Sequence, residues 1–232
     1  MADVVAESLD PYWEYVTTLM NMEGADGSND FPDSASSRVW TPAGSVQVDT
    51  SLGYNAALFD GDGDFLSASY YYPAFTWWTN DYALEAWINV ADLSTWSYVS
   101  GVTEVPVMIG NADPFNATDY WSFGPISTGQ LRLFYYNGSG QTATSTDVVE
   151  EGVLTHVALI KTVDGIRFAI NGVLGPNIAI AGTPLDSSIE DMVIGQMGNR
   201  SISGHIRALR ITKGQARYTS NFTPPSAPFP TS

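Results

Sequence analysis

Tyr82-Ala-Leu-Glu-Ala-Trp-Ile-Asn-Val90 is the stretch that decides the fold. Tyr82, Leu84, Ala86 and Ile88 fall on one side of an extended chain, and Glu85, Trp87 and Asn89 on the other. A period of two is the signature of a strand. Trp87 on the second side implies that this face is partly covered too.

Working outward, similar short strands recur between turn residues. Tyr54–Asp60 and Asp64–Tyr70 flank Gly61-Asp-Gly63, which reads as a hairpin. Gln130–Tyr136 runs into Asn137-Gly138. Leu154–Lys161 and Ile166–Ile170 are followed by Asp164-Gly165 and Asn171-Gly172, both type I′ signals. Met192–Gly195 and Gly204–Ile211 read as later strands. Pro11–Met20 is ambiguous. Asp10 followed by proline suits a helical turn, whereas the β-branched and aromatic residues after it suit a strand. There is no repeat, linker or break in composition, so the expectation is an all-β antiparallel sandwich in a single domain.

Composition narrows the function. The chain has 232 residues, 9 Lys+Arg, 25 Asp+Glu and a formal charge of −16. That balance argues against nucleic acid, whose phosphates need clustered bases, and against anionic membrane. Residues 1–150 carry 20 acids and 2 bases, and the remainder 5 acids and 7 bases. Such asymmetry can draw copies of one chain together, or can simply be solvated. Absence of cysteine excludes disulfides, thiolate metal sites and cysteine nucleophiles. No apolar run reaches the length of a membrane span, and the acidic Met1–Asp10 does not read as a signal peptide. Met1 is expected to be the protein's own start. Asn116, Asn137, Asn199 and Asn221 head glycosylation-type triplets, which without secretion are accidental.

Several motifs resemble a known family. Ala57-Leu-Phe-Asp-Gly-Asp-Gly-Asp-Phe-Leu66, Tyr82–Ile88 and Thr155–Lys161 with Phe168-Ala-Ile-Asn-Gly172 are similar to the successive strands of laminin G-like, concanavalin A-like domains. The family's usual tryptophan is Leu154 here, and its Asp-Gly turn is Asn171-Gly172. Ile206-Arg-Ala-Leu-Arg-Ile-Thr-Lys-Gly-Gln-Ala-Arg-Tyr-Thr-Ser-Asn-Phe-Thr-Pro-Pro225 resembles the close of such domains in tailed-phage structural proteins, and Tyr15–Gly27 resembles their opening strand. The resemblance implies a jelly-roll sandwich over residues 12–230, after an arm at 1–11, with first and last strands adjacent. It implies a non-enzymatic virion protein assembled in the host cytoplasm, either capsid decoration or tail-associated. Its partners would be other virion proteins, copies of itself and, as an adhesin, host-surface glycans.

Individual residues carry chemical expectations. Asp60, Asp62 and Asp64 offer oxygens to calcium, although EF-hand spacing fails and the alternative is a turn whose amides they cap. No other cofactor is expected. Glu85 lacks the second acid of the Glu-x-Asp-x-x-Glu glucanase pattern, so the expectation is a hydrogen-bonded anchor rather than a catalyst. His156 and His205 have no nucleophile elbow to serve. Tyr70, Tyr71, Tyr72, Trp77 and Trp78 lie in a nine-residue run with six aromatics, suited to stacking on sugars or filling an interface. Trp96, Tyr98, Tyr120 and Trp121 are further aromatic candidates. Arg207, Arg210, Lys213 and Arg217 form a basic strip, either paired internally or facing a neighbouring subunit.

Overall fold

The computed structural model describes residues 9–69, 80–101, 103–111, 120–182 and 191–232. Among these, the strands in chain order are β1 (Val16–Met20), β2 (Thr41–Ala43), β3 (Gln47–Asp49), β4 (Ala56–Asp60), β5 (Phe65–Ala68), β6 (Tyr82–Val90), β7 (Ser97–Ser100), β8 (Thr103–Pro106), β9 (Ile109–Asn111) and β10 (Trp121–Pro125). They continue with β11 (Gln130–Tyr136), β12 (Gly140–Val148), β13 (Leu154–Thr162), β14 (Gly165–Ile170), β15 (Val173–Leu174), β16 (Met192–Ile194), β17 (Gln196–Met197), β18 (Arg200–Ser201) and β19 (Ser203–Lys213). The ambiguous Pro11–Met20 resolves into both readings, a short 3₁₀ turn at Trp13–Tyr15 and then β1.

Two antiparallel sheets face each other, as the alternating patterns require. One runs β15-β14-β13-β6-β19-β4-β3, with β1 also on β19; the other runs β12-β11-β10-β9-β16-β5-β2. The edge of β19 is shared lengthwise: β4 pairs with Ser203–Ile206, and β1 with Leu209–Thr212. First and last strands are thus adjacent. Leu84, Ile88, Phe123, Leu133, Leu159 and Ile194 are wholly buried between the sheets. Phe123 and Phe168 stack there, with centroids 6.1 Å apart.

One turn departs from the sequence reading. Gly61–Asp64 does not close a hairpin, because β4 pairs with β3 and β19 in one sheet while β5 pairs with β2 and β16 in the other. The glycines bend the chain across the sandwich instead. Asn171 and Gly172 both have positive φ, 49° and 79°, as a type I′ turn demands. The β13–β14 turn is Val163-Asp164, one residue earlier than the Asp-Gly signal.

A bulge in β19 sets up the outer face of the first sheet. The register against β6 shifts between Ile206 and Ala208. Ile206 and Leu209, three residues apart, therefore both point into the core, and Arg210 stands opposite Glu85. Residues 9–15 and 214–232 lie over that outer face. Asn21 and Phe229 exchange two hydrogen bonds of 2.8 and 3.0 Å, Trp87 Nε1 donates to Pro225 O at 2.9 Å, and Phe222 N donates to Gly172 O at 2.9 Å. Asp10 N donates to Ser232 O at 2.7 Å. This strap is why Trp87 has cover on the side that the alternation left outside.

Candidate functional site

Among the described residues, a buried cluster of charged side chains lies beneath the strap. Glu85 is fully buried on β6. Arg210 on β19 donates to its Oε1 from Nε at 2.9 Å, His156 on β13 meets Oε2 at 3.0 Å, and Tyr218 donates to Oε2 at 2.7 Å. Asp10 takes Arg210 Nη1 at 2.8 Å and Arg217 Nη2 at 2.7 Å. Burial works against the Glu85 carboxylate, but His156, Arg210 and Arg217 outweigh it and hold its pKa at about 2. Burial likewise opposes Asp10, and Arg217, the Tyr12 amide and Arg210 hold it below the ordinary range. Burial, reinforced by Glu85, pushes the Tyr218 phenol far up. Trp87, Phe222 and Phe229 pack edge-on around the His156 ring. Every oxygen of Glu85 is spoken for, and no water reaches it. The cluster can hold a strap in place; the Glu85 carboxylate has no oxygen left to offer a ligand.

The basic strip is consumed in the same way. Arg210 and Arg217 pair with Asp10 and Glu85, while Arg207 donates to Ala227 O at 2.7 Å and lies over the Tyr54 ring. The internal reading of the strip holds for these three.

Two of the three aspartates, Asp60 and Asp64, cap a turn. Asp64 is buried and accepts from Asp60 N at 2.9 Å and Ser45 Oγ at 3.1 Å, while Asp60 accepts from Ser45 Oγ at 2.7 Å and Asp62 N at 2.8 Å. The Asp60 carboxyl is held low by the Ser45 hydroxyl and the Asp62 amide. Asp62 itself is exposed. Among the described residues no group of three or more His, Asp or Glu is arranged to hold a metal.

Tyr70, Tyr71, Tyr72, Trp77 and Trp78 lie outside the described residues. Of the other aromatic candidates, Trp96 is buried and donates from Nε1 to Ser203 O at 2.8 Å. Tyr120 stacks between Phe134 and Tyr136, with centroids 5.0 and 6.4 Å away.

Tyr98 lines a cleft among the described residues that could hold a ligand. A cleft of about 540 Å³ opens at one end of the sandwich, bounded by Ser94, Ser97, Tyr98, Val99, Glu104, Ser127, Asn199 and Arg200. That volume lies within the range of roughly 300–1,000 Å³ usual for small-ligand pockets. Its walls come from the 3₁₀ turn at Leu93–Thr95, the β7–β8 hairpin, the β10–β11 turn and the β17–β18 hairpin. Glu104 accepts from the Ser97 hydroxyl and, at 2.7 Å, from Ser127 N. Burial opposes its charge, but Ser97, Ser127 and Arg132 hold its carboxyl below the ordinary value. A second cleft, about 320 Å³, lies at the opposite end and is lined by Thr162, Asp164, Arg167, Asn177 and Tyr218 among others.

Sequence reasoning singled out only Tyr98 of the larger cleft. Gly198-Asn199, the two-residue loop that joins β17 to β18, is a hairpin signal that passed as a glycosylation triplet. Ser127 and Glu104 carried no local signal.

A family model described as "Concanavalin A-like lectin/glucanases superfamily", of laminin G type, matches residues 59–216. No curated protein matches in sequence. Among solved structures, domain 4 of AbnA, an extracellular GH43 arabinanase from Geobacillus stearothermophilus in complex with arabinotriose, is 16% identical with a TM-score of 0.62, covering 87% of this chain and 93% of that one. The binding domain of Paraclostridial Mosquitocidal Protein 1 is 12% identical with a TM-score of 0.63, over 89% of this chain and 50% of that one. Trypanosoma rangeli sialidase in complex with the inhibitor DANA is 11% identical with a TM-score of 0.56, over 87% of this chain. The chain spans half of that toxin domain and about a third (31%) of the sialidase. At these identities the likeness is one of fold.

Proposed function

The chain belongs to the concanavalin A-like lectin/glucanases superfamily, and from that membership we propose that it is a non-enzymatic binding module of a tailed-phage virion, contacting glycans through the Ser97–Arg200 cleft. The observation that carries the non-enzymatic part is the burial of Glu85. Glycoside hydrolysis needs two carboxyls flanking a sugar bond. Glu85 is sealed and paired, and Glu104, the carboxylate in the cleft, has no second acid among the residues lining it. The cleft supports glycan contact by its size, by the exposed Val99 as an apolar wall, and by serine, asparagine and arginine side chains as polar partners. The bound arabinotriose of the AbnA domain is a property of that protein and serves here as a precedent for the fold.

The virion placement rests on the resemblance of Ile206–Pro225 to the closing run of tailed-phage structural proteins. It carries with it assembly in the host cytoplasm and neighbours among other virion proteins. Within that placement an adhesin fits better than a self-associating cement. The basic strip that could have drawn an acidic neighbour is spent on Asp10, Glu85 and Ala227 O.

One experiment tests the reading. The purified chain is run on an array of bacterial envelope glycans beside Ser97→Ala/Asn199→Ala and Trp77→Ala/Trp78→Ala. Binding that falls at least tenfold in the first variant and persists in the second assigns the cleft. Binding lost only in the second moves the site to the aromatic run. No binding by the wild-type chain, or turnover of a bound glycan, overturns the proposal.

A further inference from the structure

The geometry points to a saccharide bearing a single carboxylate as the ligand of the larger cleft, with Arg200 as the group that takes the carboxylate. This rests on the glycan reading and names the class of glycan.

The chain sets nine cations against 25 acids. Of the nine Lys and Arg, six make side-chain hydrogen bonds: Arg38 to Asp33 at 3.1 Å, Arg132 to Thr144 Oγ1 at 2.9 Å, Lys161 to Asn80 O at 2.8 Å, and Arg207, Arg210 and Arg217 within the strap. Lys213 is engaged as well. Among the described residues only Arg167 and Arg200 have no such partner for their side chains, and each lines one of the two clefts. Surface arginines are often left to solvent, since exposed ion pairs are worth little; these two are set apart by bordering a cleft.

Arg200 is held out by its hairpin. The Gly198-Asn199 turn places it at the start of β18, paired with Met197. The next residue, Ser201, accepts from Gly63 N at 3.1 Å and from Gln196 Nε2 at 3.2 Å, which pins the hairpin to the Gly61–Asp64 bend. The backbone is fixed and the guanidinium is exposed. The other ion in the cleft, Glu104, is already stabilised by Ser97, Ser127 and Arg132 behind it. Arg200 is therefore the uncompensated charge in the cleft. A planar guanidinium binds a carboxylate through two parallel hydrogen bonds.

The rest of the lining limits the ligand. Val99, 70% exposed, suits the C–H face of a sugar ring, and Asn199 and Ser94 suit its hydroxyls. The negative field of the whole protein repels a polyanion before contact. One carboxylate on an otherwise neutral oligosaccharide satisfies both conditions.

Isothermal titration calorimetry decides it, with a trisaccharide ending in glucuronic acid and its methyl ester as probes. The two differ in charge and keep the same ring. The acid is expected to bind wild type about ten- to hundredfold tighter than the ester, the span of a charge-assisted hydrogen bond pair. Arg200→Gln brings the ratio near one, Arg200→Lys restores part of it, and raising salt narrows it. The thermal midpoint of both variants stays at the wild-type value, because the side chain is exposed. Equal binding of acid and ester by wild type overturns this inference and leaves the glycan reading standing. A ratio unmoved by Arg200→Gln does the same. Binding of neither probe, with array binding to other glycans intact, rejects the carboxylate alone, whereas silence on the array as well rejects both.

Discussion

Arg210 meets Glu85 across neighbouring strands, Nη2 to Oε1 at 2.8 Å, with both side chains all but closed to water. Neither charge has an alternative partner in solvent. The pair is joined by Asp10, Arg217, His156 and Tyr218, so the outer face of the first sheet is held by a buried polar network rather than by apolar packing alone. Removing one member leaves the rest uncompensated.

Arg210→Met is accordingly expected to cost about 3–5 kcal/mol, the usual penalty for breaking a buried ion pair from one side. For a chain of this length that lowers the thermal midpoint by roughly 6–20 °C. Urea denaturation at neutral pH measures it. A loss under 1 kcal/mol would show that the strap is held by Phe229 and Trp87 packing instead.

Acid should loosen the same network. The Glu85 carboxyl sits near 2 in the folded chain against 4.5 when free. A depressed carboxyl favours folding fully above its unfolded value and loses that contribution as pH falls toward its folded one. Asp10 shifts in the same direction. The urea midpoint is expected to be level from pH 7 to 5 and to drop between about 4.5 and 2. Glu85→Gln should flatten that limb while lowering the plateau. A midpoint independent of pH over that window contradicts the assignment.

Gly172→Ala tests the strap from its far side. Gly172 has φ 79°, and a Cβ there would stand 1.9 Å from Phe222 O. Phe222 N also donates to Gly172 O, so the turn and the strap cannot separate without losing that bond. The expected cost is more than about 2 kcal/mol, from strain and displacement together. Gly138, also in a turn with positive φ but with open space around its Cβ position, is the control and should lose less as Gly138→Ala.

Calcium is expected to leave the thermal midpoint unchanged within 1 °C on adding about 5 mM of the ion or excess chelator. Asp60 and Asp64 already accept from Ser45 and from backbone amides. An ion would have to displace those donors. Asp64→Ala should instead cost about 1–3 kcal/mol by orphaning Asp60 N and Ser45 N. A calcium-dependent rise of several degrees would restore the metal reading.

What was legible in the sequence was whatever neighbours in the chain specify. The alternation of Tyr82–Val90 and the Asn171-Gly172 turn are local properties, and both appear as read. Gly61-Asp-Gly63 encodes a bend, but nothing local tells the bend whether its strands pair or part, and they part. Glu85 was legible as an anchor because a lone mid-strand carboxylate needs partners; Asp10, 75 positions earlier, was not legible as one end of its network. The large cleft escaped because its walls are drawn from four separate turns, and closeness between turns is decided by sheet pairing.

The meeting of Asp10 N with Ser232 O has a mechanical consequence. Val16 and Thr212, the outermost pair of β1 and β19, lie at the same end of their ladder. Tension applied between residues 10 and 232 would first strip the strap, Phe229 from Asn21 and Asp10 from Arg210 and Arg217 among its ties, and then peel those two strands apart one hydrogen bond at a time. A ladder loaded this way yields at low force, whereas one loaded along its length shares the load among all its bonds. Attached through one end alone, the same fold transmits a pull without being opened by it.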